Sequence, residues 1–272
     1  MTELSGRELA ARIRADVTAR AAVAHPRLAV VTATDDEASA WYVRSIATAA
    51  AKAGIACDVV DLGPKASARD IATALRGLAE DDAVHGVVLQ TPLPSGVALE
   101  DLAAEIPPHK DVDGANPLSL GRLAAGLPAF APATAEAVVT LLEHHGVALA
   151  GRHAVVVGRS TVVGKPALHL LLDRNATVTV AHSRTADLAA VTRTADVLVA
   201  AVGRAGLITP EHVRPGAVVV DVGTNPTEDG GLAGDVAPEA ASVASGLTPV
   251  PGGVGPVTTA LLLRHTVEAA ER

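Results

Sequence analysis

Two parallel-sheet α/β domains are predicted for this 272-residue chain, and three observations predict them. Short apolar runs alternate with longer helix-patterned segments along the sequence. The runs are rich in Val, Ile and Leu, as expected for strands buried on both faces. The alternation is interrupted once, by a Pro- and Gly-rich stretch from Thr91 to Phe130, and then starts again. Helix and strand in strict turn denote parallel strands joined by helical crossovers.

The elements follow in order. Ser5-Gly-Arg-Glu8 has capping-box spacing and precedes Leu9, Ile13 and Val17, the apolar stripe of a first helix. Leu28–Ala33 reads as a buried strand, Ala38–Ala53 as an alanine-rich helix ended by Gly54, and Cys57–Leu62 as the next strand. Ser67-Ala-Arg-Asp70 opens another helix, and Gly86–Gln90 is a short strand. Thr91–Phe130 carries the charged run His109-Lys-Asp-Val-Asp-Gly114, and long irregular connections of this kind are commonly functional. A helix over Glu136–His145 leads to Gly146. Strands then fall at Ala154–Val157, Thr177–Ala181, Val197–Ala201 and Ala217–Val222, with a last helix over Thr259–Ala270. The expected division is 1–137 with 257–272 against 138–256.

Composition excludes several functions. Hydrophobic residues make up 49%, but Phe, Tyr and Trp occur once each, so stacking on single-stranded nucleic acid is not expected. The net charge of −8 opposes binding to a phosphate backbone. Cys57 is the only cysteine, which fits a reducing compartment. No apolar run reaches membrane-spanning length and no signal-like start is seen, so a cytoplasmic protein is expected. The ten histidines are scattered, with His144-His145 the one adjacent pair, and no metal is expected.

One segment points to a dinucleotide. Val155-Val-Val-Gly158-Arg159-Ser160-Thr-Val-Val-Gly164-Lys-Pro166 reads as strand, tight turn and helix start. Glycines let a backbone approach a pyrophosphate, and a helix N-terminus offers free N–H groups. At the end of the following strand stands His182-Ser183-Arg184, where an NAD site places an acid. With Arg159, Ser183 and Arg184 this position suits a 2′-phosphate, and NADP is the expected cofactor. Near the end, Pro251-Gly252-Gly253-Val254-Gly255-Pro256 can press its backbone against a flat ligand.

Together these segments resemble the bifunctional methylenetetrahydrofolate dehydrogenase/methenyltetrahydrofolate cyclohydrolases. The resemblance rests on Asp35–Arg44, Val88–Pro94, Lys110-Asp-Val-Asp113-Gly, Val157–Ser160, His182-Ser183, Gly234-Asp-Val and Pro251–Pro256, in the family's order. It implies a catalytic domain, a Rossmann-like NADP-binding domain and a cleft between them. It also implies that Asp113 meets the pterin of a folate and that Tyr42 and Gln90 face its one-carbon bridge. Pro251, Gly252, Gly253, Val254 and Gly255 would lie along the folate, while Gly158, Arg159, Ser160, Ser183 and Arg184 hold NADP. Homodimers are usual in the family.

The chain departs from the family at the lysine that lies one helical turn after the tyrosine: Ile46 stands there. Lys52, ten residues beyond Tyr42, is rotated away, and Arg44 holds its proton too tightly to be a base. Ala115, Ser119 and Pro132-Ala-Thr134-Ala also differ from the family's pattern. The reading is an NADP-dependent methylenetetrahydrofolate dehydrogenase with weak or absent cyclohydrolase activity. A same-fold enzyme for another substrate and a non-catalytic NADP-binding protein are the alternatives.

Overall fold

The computed structural model describes residues 1–227 and 230–272. In chain order its elements begin β1 (Thr2–Glu3), α1 (Arg7–Ala24), β2 (Arg27–Thr32), α2 (Glu37–Lys52), β3 (Ala56–Asp61), α3 (Ala68–Glu80), β4 (Gly86–Leu89), α4 (Leu99–Ala103), α5 (Pro117–Ala124) and α6 (Ala133–His144). They continue β5 (His153–Val157), α7 (Gly164–Leu172), β6 (Thr177–Ala181), α8 (Leu188–Thr192), β7 (Val197–Ala200), β8 (Val218–Asp221), β9 (Asn225–Pro226), β10 (Leu232–Ala233), β11 (Gly246–Leu247) and α9 (Val254–Ala270).

The chain forms two compact units. One contains Ala11–Ala133 with Thr259–Arg272, the other Met1–Ala10 with Thr134–Thr258. In the first, β3-β2-β4 form a parallel sheet, with Leu28 opposite both Cys57 and Gly86. Val31 on β2 and Ile71 and Leu75 on α3 have no exposed surface, and Val87, Leu89, Leu102 and Ile106 pack with them. The helix α3 begins as its sequence predicts: Ser67 Oγ accepts from Asp70 N at 3.2 Å, and Ser67 N donates to the Asp70 carboxylate at 3.0 Å. The core is aliphatic, as the composition requires. Phe130 is an exception, buried against the His265 ring at 5.0 Å between centroids.

In the second unit the described residues form a parallel sheet in the order β1-β11-β8-β7-β5-β6. The order starts inside at β5 and runs outward in both directions, placing the C-terminal ends of β5, β6 and β7 side by side (Val157 opposite Ala181 and Ala200). Ligands of doubly wound sheets bind at such a reversal. Val155, Leu198, Ile208 and Val219 are fully buried beneath it.

The seven expected strands match β2–β8 to within a residue, the two-residue strands β1, β9, β10 and β11 were not expected, and three further features differ. Residues 1–10, expected with residues 11–137, pack with the other unit. There Thr2 pairs with Gly246, Gly6 N donates to Gly252 O at 2.9 Å, and a side chain at Gly6 would strike Gly253 O. Thr91–Phe130 contains α4 and α5, and α5 is announced by Asn116, whose side chain accepts from Leu118 N, followed by Pro117 at the first helical position. Lastly, α9 starts at Val254, five residues before the expected Thr259. Pro256 falls in its first turn, where the missing N–H costs no helical hydrogen bond.

Candidate active site

Within the unit of β2, β3 and β4, the charged run around Lys110 divides into structural residues and one that is left over. Lys110 is 6% exposed, and its ammonium donates to the carbonyls of Ala79 at 2.9 Å and Asp81 at 2.8 Å, closing the end of α3. Asp111 is fully buried and accepts from Ala115 N, Asn116 N and Ser119 Oγ at 2.9, 2.9 and 2.6 Å. Ser119, read from the resemblance as a changed pocket position, is therefore committed to this turn. Gly114 has φ +65 and no room for a Cβ against the backbone of Ala131 and Pro132. His265 on α9 fixes the turn from its other side, with Nδ1 2.8 Å from Val112 O.

Asp113 is what remains. Its carboxylate makes no hydrogen bond among the described residues. Burial, then the charge of Asp111, push its pKa up to about 7, opposed by His265. A carboxyl in this state can accept two parallel N–H donors from a flat heterocycle, and binding would restore its charge. The alternative role, capping the turn at Gly114, belongs to Asp111.

Tyr42 and Ile46 lie one turn apart on α2. The helix begins at Asp36, whose carboxylate accepts from Ser39 N at 2.8 Å. Burial, and secondarily the charge of Asp113, raise the Tyr42 pKa, so its phenol stays neutral. Its hydroxyl is hydrogen-bonded to the Thr259 side chain. Thr259 carried no sequence signal beyond its place at an expected helix start. Ile46 has no exposed surface. At the end of β4, Gln90 Nε2 donates to Thr91 O at 2.6 Å, and the same carbonyl accepts from Ser39 Oγ at 3.0 Å. With its NH₂ engaged, the Gln90 amide has its oxygen available as an acceptor.

In the other unit, Gly158 ends β5 with φ +131, and a Cβ there would collide with Ala201 O after β7. A Cβ at Gly164 would collide with Gly158 O, so the strand and α7 meet without side chains between them. Ser160 Oγ accepts from Val163 N at 3.2 Å and Gly164 N at 3.4 Å, shaping the turn into α7. Gly158 N donates to Ala181 O at 2.9 Å, which sets this turn beside His182–Arg184. Ser183 and Arg184 are exposed. The side chains of Arg159, Ser183 and Arg184 make no hydrogen bond or ion pair among the described residues. Two unpaired guanidiniums and a hydroxyl beside a glycine turn fit a dinucleotide with an extra phosphate. Pro251–Gly255 also belongs to this unit, with Arg7 packed against Gly252. Val254 and Gly255 form the start of α9 rather than extended chain.

Sequence reasoning gave Gly234-Asp-Val no role, and the structure supplies one. The Asp235 carboxylate accepts from the backbone N–H groups of Val202, Gly203 and Arg204 at 2.7, 3.0 and 2.8 Å, and from Asn225 Nδ2 at 3.0 Å. Asp221 in turn accepts from Asp235 N and Val236 N, both at 2.9 Å. These two acids hold the loop that follows β7, beside the Gly158 turn. Three contiguous N–H donors converging on one carboxylate need tertiary placement that no motif spacing displays.

Residues 132–272 match the NAD(P)-binding domain of the tetrahydrofolate dehydrogenase/cyclohydrolases, and residues 4–113 match their catalytic domain. The bifunctional protein FolD 1 of Saccharopolyspora erythraea is 66% identical over 99% of this chain and 94% of its own length. The crystal structure of the bifunctional FolD methylenetetrahydrofolate dehydrogenase/cyclohydrolase from Campylobacter jejuni superposes with a TM-score of 0.95 at 38% identity, covering 100% of this chain and 99% of that one. The Trypanosoma brucei enzyme, crystallised with NADP cofactor and an inhibitor, gives 0.94 at 35% identity over 100% and 98% of the two chains. The glycine turn after β5, the aspartate left over after Lys110 and these matches across both units agree: the chain belongs to the tetrahydrofolate dehydrogenase/cyclohydrolase family.

Proposed function

We propose that the protein oxidises 5,10-methylenetetrahydrofolate to the methenyl form with NADP, and that it hydrates the methenyl product weakly or not at all. The carrying observation is the pair Tyr42 and Ile46: one turn of α2 presents a neutral phenol followed by a fully buried alkyl group where the family's lysine resides.

NADP supplies the hydride acceptor when bound, held at Gly158, Arg159, Ser160, Ser183 and Arg184. Asp113 orients the folate by accepting from the amidine-like edge of the pterin. Hydride loss from an N–CH₂–N carbon is driven by the flanking nitrogen lone pairs, so the oxidation needs alignment and charge tolerance rather than a base. The Gln90 amide oxygen faces the cation that forms, and the Tyr42 hydroxyl, held by Thr259, stays protonated beside it. Pro251, Gly252, Gly253, Val254 and Gly255 line the folate. Hydration of the methenyl cation is a different task, since water must lose a proton as it adds. Neither Ile46 nor the raised phenol of Tyr42 can take that proton near neutral pH. We infer a homodimer as the active form.

The test is a steady-state assay in which NADPH and the methenyl product are followed together. Turnover of methylenetetrahydrofolate with NADP establishes the dehydrogenase. Folate binding without turnover would instead indicate a non-catalytic role, and no binding of folate would indicate a different substrate.

Cofactor choice has its own expected result. One well-formed charge-assisted bond to the 2′-phosphate contributes about 1.5–3 kcal/mol, so NADP is expected to bind at least about tenfold more tightly than NAD. Isothermal titration with both cofactors measures this, and equal affinities would remove Arg159, Ser183 and Arg184 from the site.

A further inference from the structure

The helix α9 is apolar where it packs: Leu261, Leu263 and Val267 have no exposed surface. His265 stands among them and is 3% exposed. A buried imidazole needs partners for its nitrogens, and the partner of Nδ1 is specific. Nδ1 lies 2.8 Å from Val112 O. A carbonyl oxygen only accepts, so Nδ1 carries the proton and donates it. The ring packs against Phe130 at 5.0 Å, tilted by 33°, and the Arg272 guanidinium covers the Phe130 ring at 4.4 Å. The imidazole is thereby held in one orientation.

The Val112 carbonyl belongs to the peptide unit that leads into Asp113. That unit is planar, so the direction of the carbonyl fixes the direction in which the chain enters the Asp113 Cα. The rest of the turn is tied down too. Val112 N donates to Lys110 O at 2.9 Å and Gly114 N to Asp111 O at 3.0 Å. Gly86 on β4 leaves room for the Val112 side chain, which a Cβ there would meet at 2.9 Å. The Asp113 carboxylate has no hydrogen bond of its own among the described residues, so it inherits its direction from this backbone. The same helix carries Thr259, whose side chain is hydrogen-bonded to the Tyr42 hydroxyl. Six residues at 1.5 Å each separate Thr259 from His265 by about 9 Å along the axis. One rigid element thus grips both the phenol and the turn of the acid.

We propose that His265 is a positioning residue for the folate: its bond to the Val112 carbonyl aims the Asp113 carboxylate at the pterin. Through His265 and Thr259, α9 then sets where the one-carbon bridge lies relative to Tyr42. The inference rests on the folate assignment above.

Two variants separate this role from packing. His265→Leu keeps most of the ring's volume against Phe130 but has no donor. His265→Asn loses volume and brings an amide N–H close to the place of Nδ1. Packing alone predicts that the Asn variant, which opens a cavity, is the more damaging. Positioning predicts the reverse order for substrate. KM for methylenetetrahydrofolate is expected to rise about tenfold in His265→Leu, since misplacing a binding group by 1 Å costs up to about 10²-fold, and to return close to the wild-type value in His265→Asn. The value of kcat is expected to change less than KM, and KM for NADP to stay constant. Each protein is assayed at a temperature at which thermal unfolding shows it to be folded. A Leu variant with the wild-type KM, or an Asn variant no better than Leu, would overturn the proposal and leave His265 a packing residue. A wild type that turns over no folate contradicts the folate assignment instead. The aim of Asp113 is then read in ligand-free protein from its carboxyl ¹³C resonance, identified as the signal lost in Asp113→Asn. A resonance displaced in His265→Leu and restored in His265→Asn supports positioning, and one unchanged in both variants overturns it.

Discussion

Wild-type protein given methylenetetrahydrofolate and NADP is expected to accumulate the methenyl product, which then decays at the rate of the buffer alone. Proton transfer from a positioned group accelerates such a hydration by about 10²–10⁴, and α2 provides no such group near Tyr42. Lys52 is exposed. Ile46→Lys places an amine one turn from Tyr42, on the same helix face. Because Ile46 has no exposed surface, desolvation will lower the pKa of that amine, the direction a proton-transfer group near neutral pH requires. The same burial will lower the melting temperature, so thermal unfolding is measured beside activity. Partial recovery of hydration is expected, within the range above, with the dehydrogenase rate changed less. A wild type that already hydrates the methenyl product at an enzymatic rate would show that another group moves the proton and that Ile46 is only a packing choice.

Asp113→Ala is expected to weaken folate binding at least about tenfold, as the loss of a charge-assisted bond of about 1.5–3 kcal/mol requires. NADP binding is expected to persist, because its residues belong to the other unit. The pH dependence follows from the raised carboxyl. Its folded pKa of about 7 exceeds the ordinary 3.8. The stability it contributes is therefore fully present below about pH 4 and is lost as pH rises through about 7. Ligand-free protein is expected to lose this contribution between about pH 4 and pH 7, and Asp113→Asn to flatten that slope. Folate binding has the opposite sign, because the pterin donates to the ionised form. Affinity is expected to rise through about pH 7 in the wild type and to stay level in Asp113→Asn. A wild-type affinity independent of pH across that interval would place the pterin elsewhere.

The strands β2–β8 were legible in the sequence because parallel strands buried on both faces read as unbroken Val, Ile and Leu runs, whereas the two-residue strands β1 and β11 at the edge of the larger sheet were not. The interruptions were harder to read. Thr91–Phe130 resembles loop by composition, yet Asn116-Pro117 is a sound helix start inside it. Gly255-Pro256 reads as a breaker but opens α9. In the candidate site, residue types and order point to Asp113, Tyr42 and the Gly158 turn. Which acid of Lys110-Asp111-Val-Asp113 is structural depends on Ser119 and Asn116 folding back onto Asp111, a matter of three-dimensional placement. The same holds for Thr259 beside Tyr42 and for Asp235 beneath the loop after β7. Contacts between residues far apart in sequence leave no spacing to read.

The pairing of Thr2 with Gly246 and Glu3 with Leu247 has a consequence for synthesis on the ribosome. The first strand to emerge is the last to find its place, because β11 is translated only after nearly all the rest of the sheet. Until then β1 has no strand to pair with. Once β11 has docked on β8, its other edge stays open, and open edges recruit foreign strands. Two residues ending in a charged Glu3 make a short cover that closes that edge and offers little surface for a further strand. A chain shortened or displaced at residues 2–6 would therefore fail by aggregating during production, even though every residue of the candidate active site is intact.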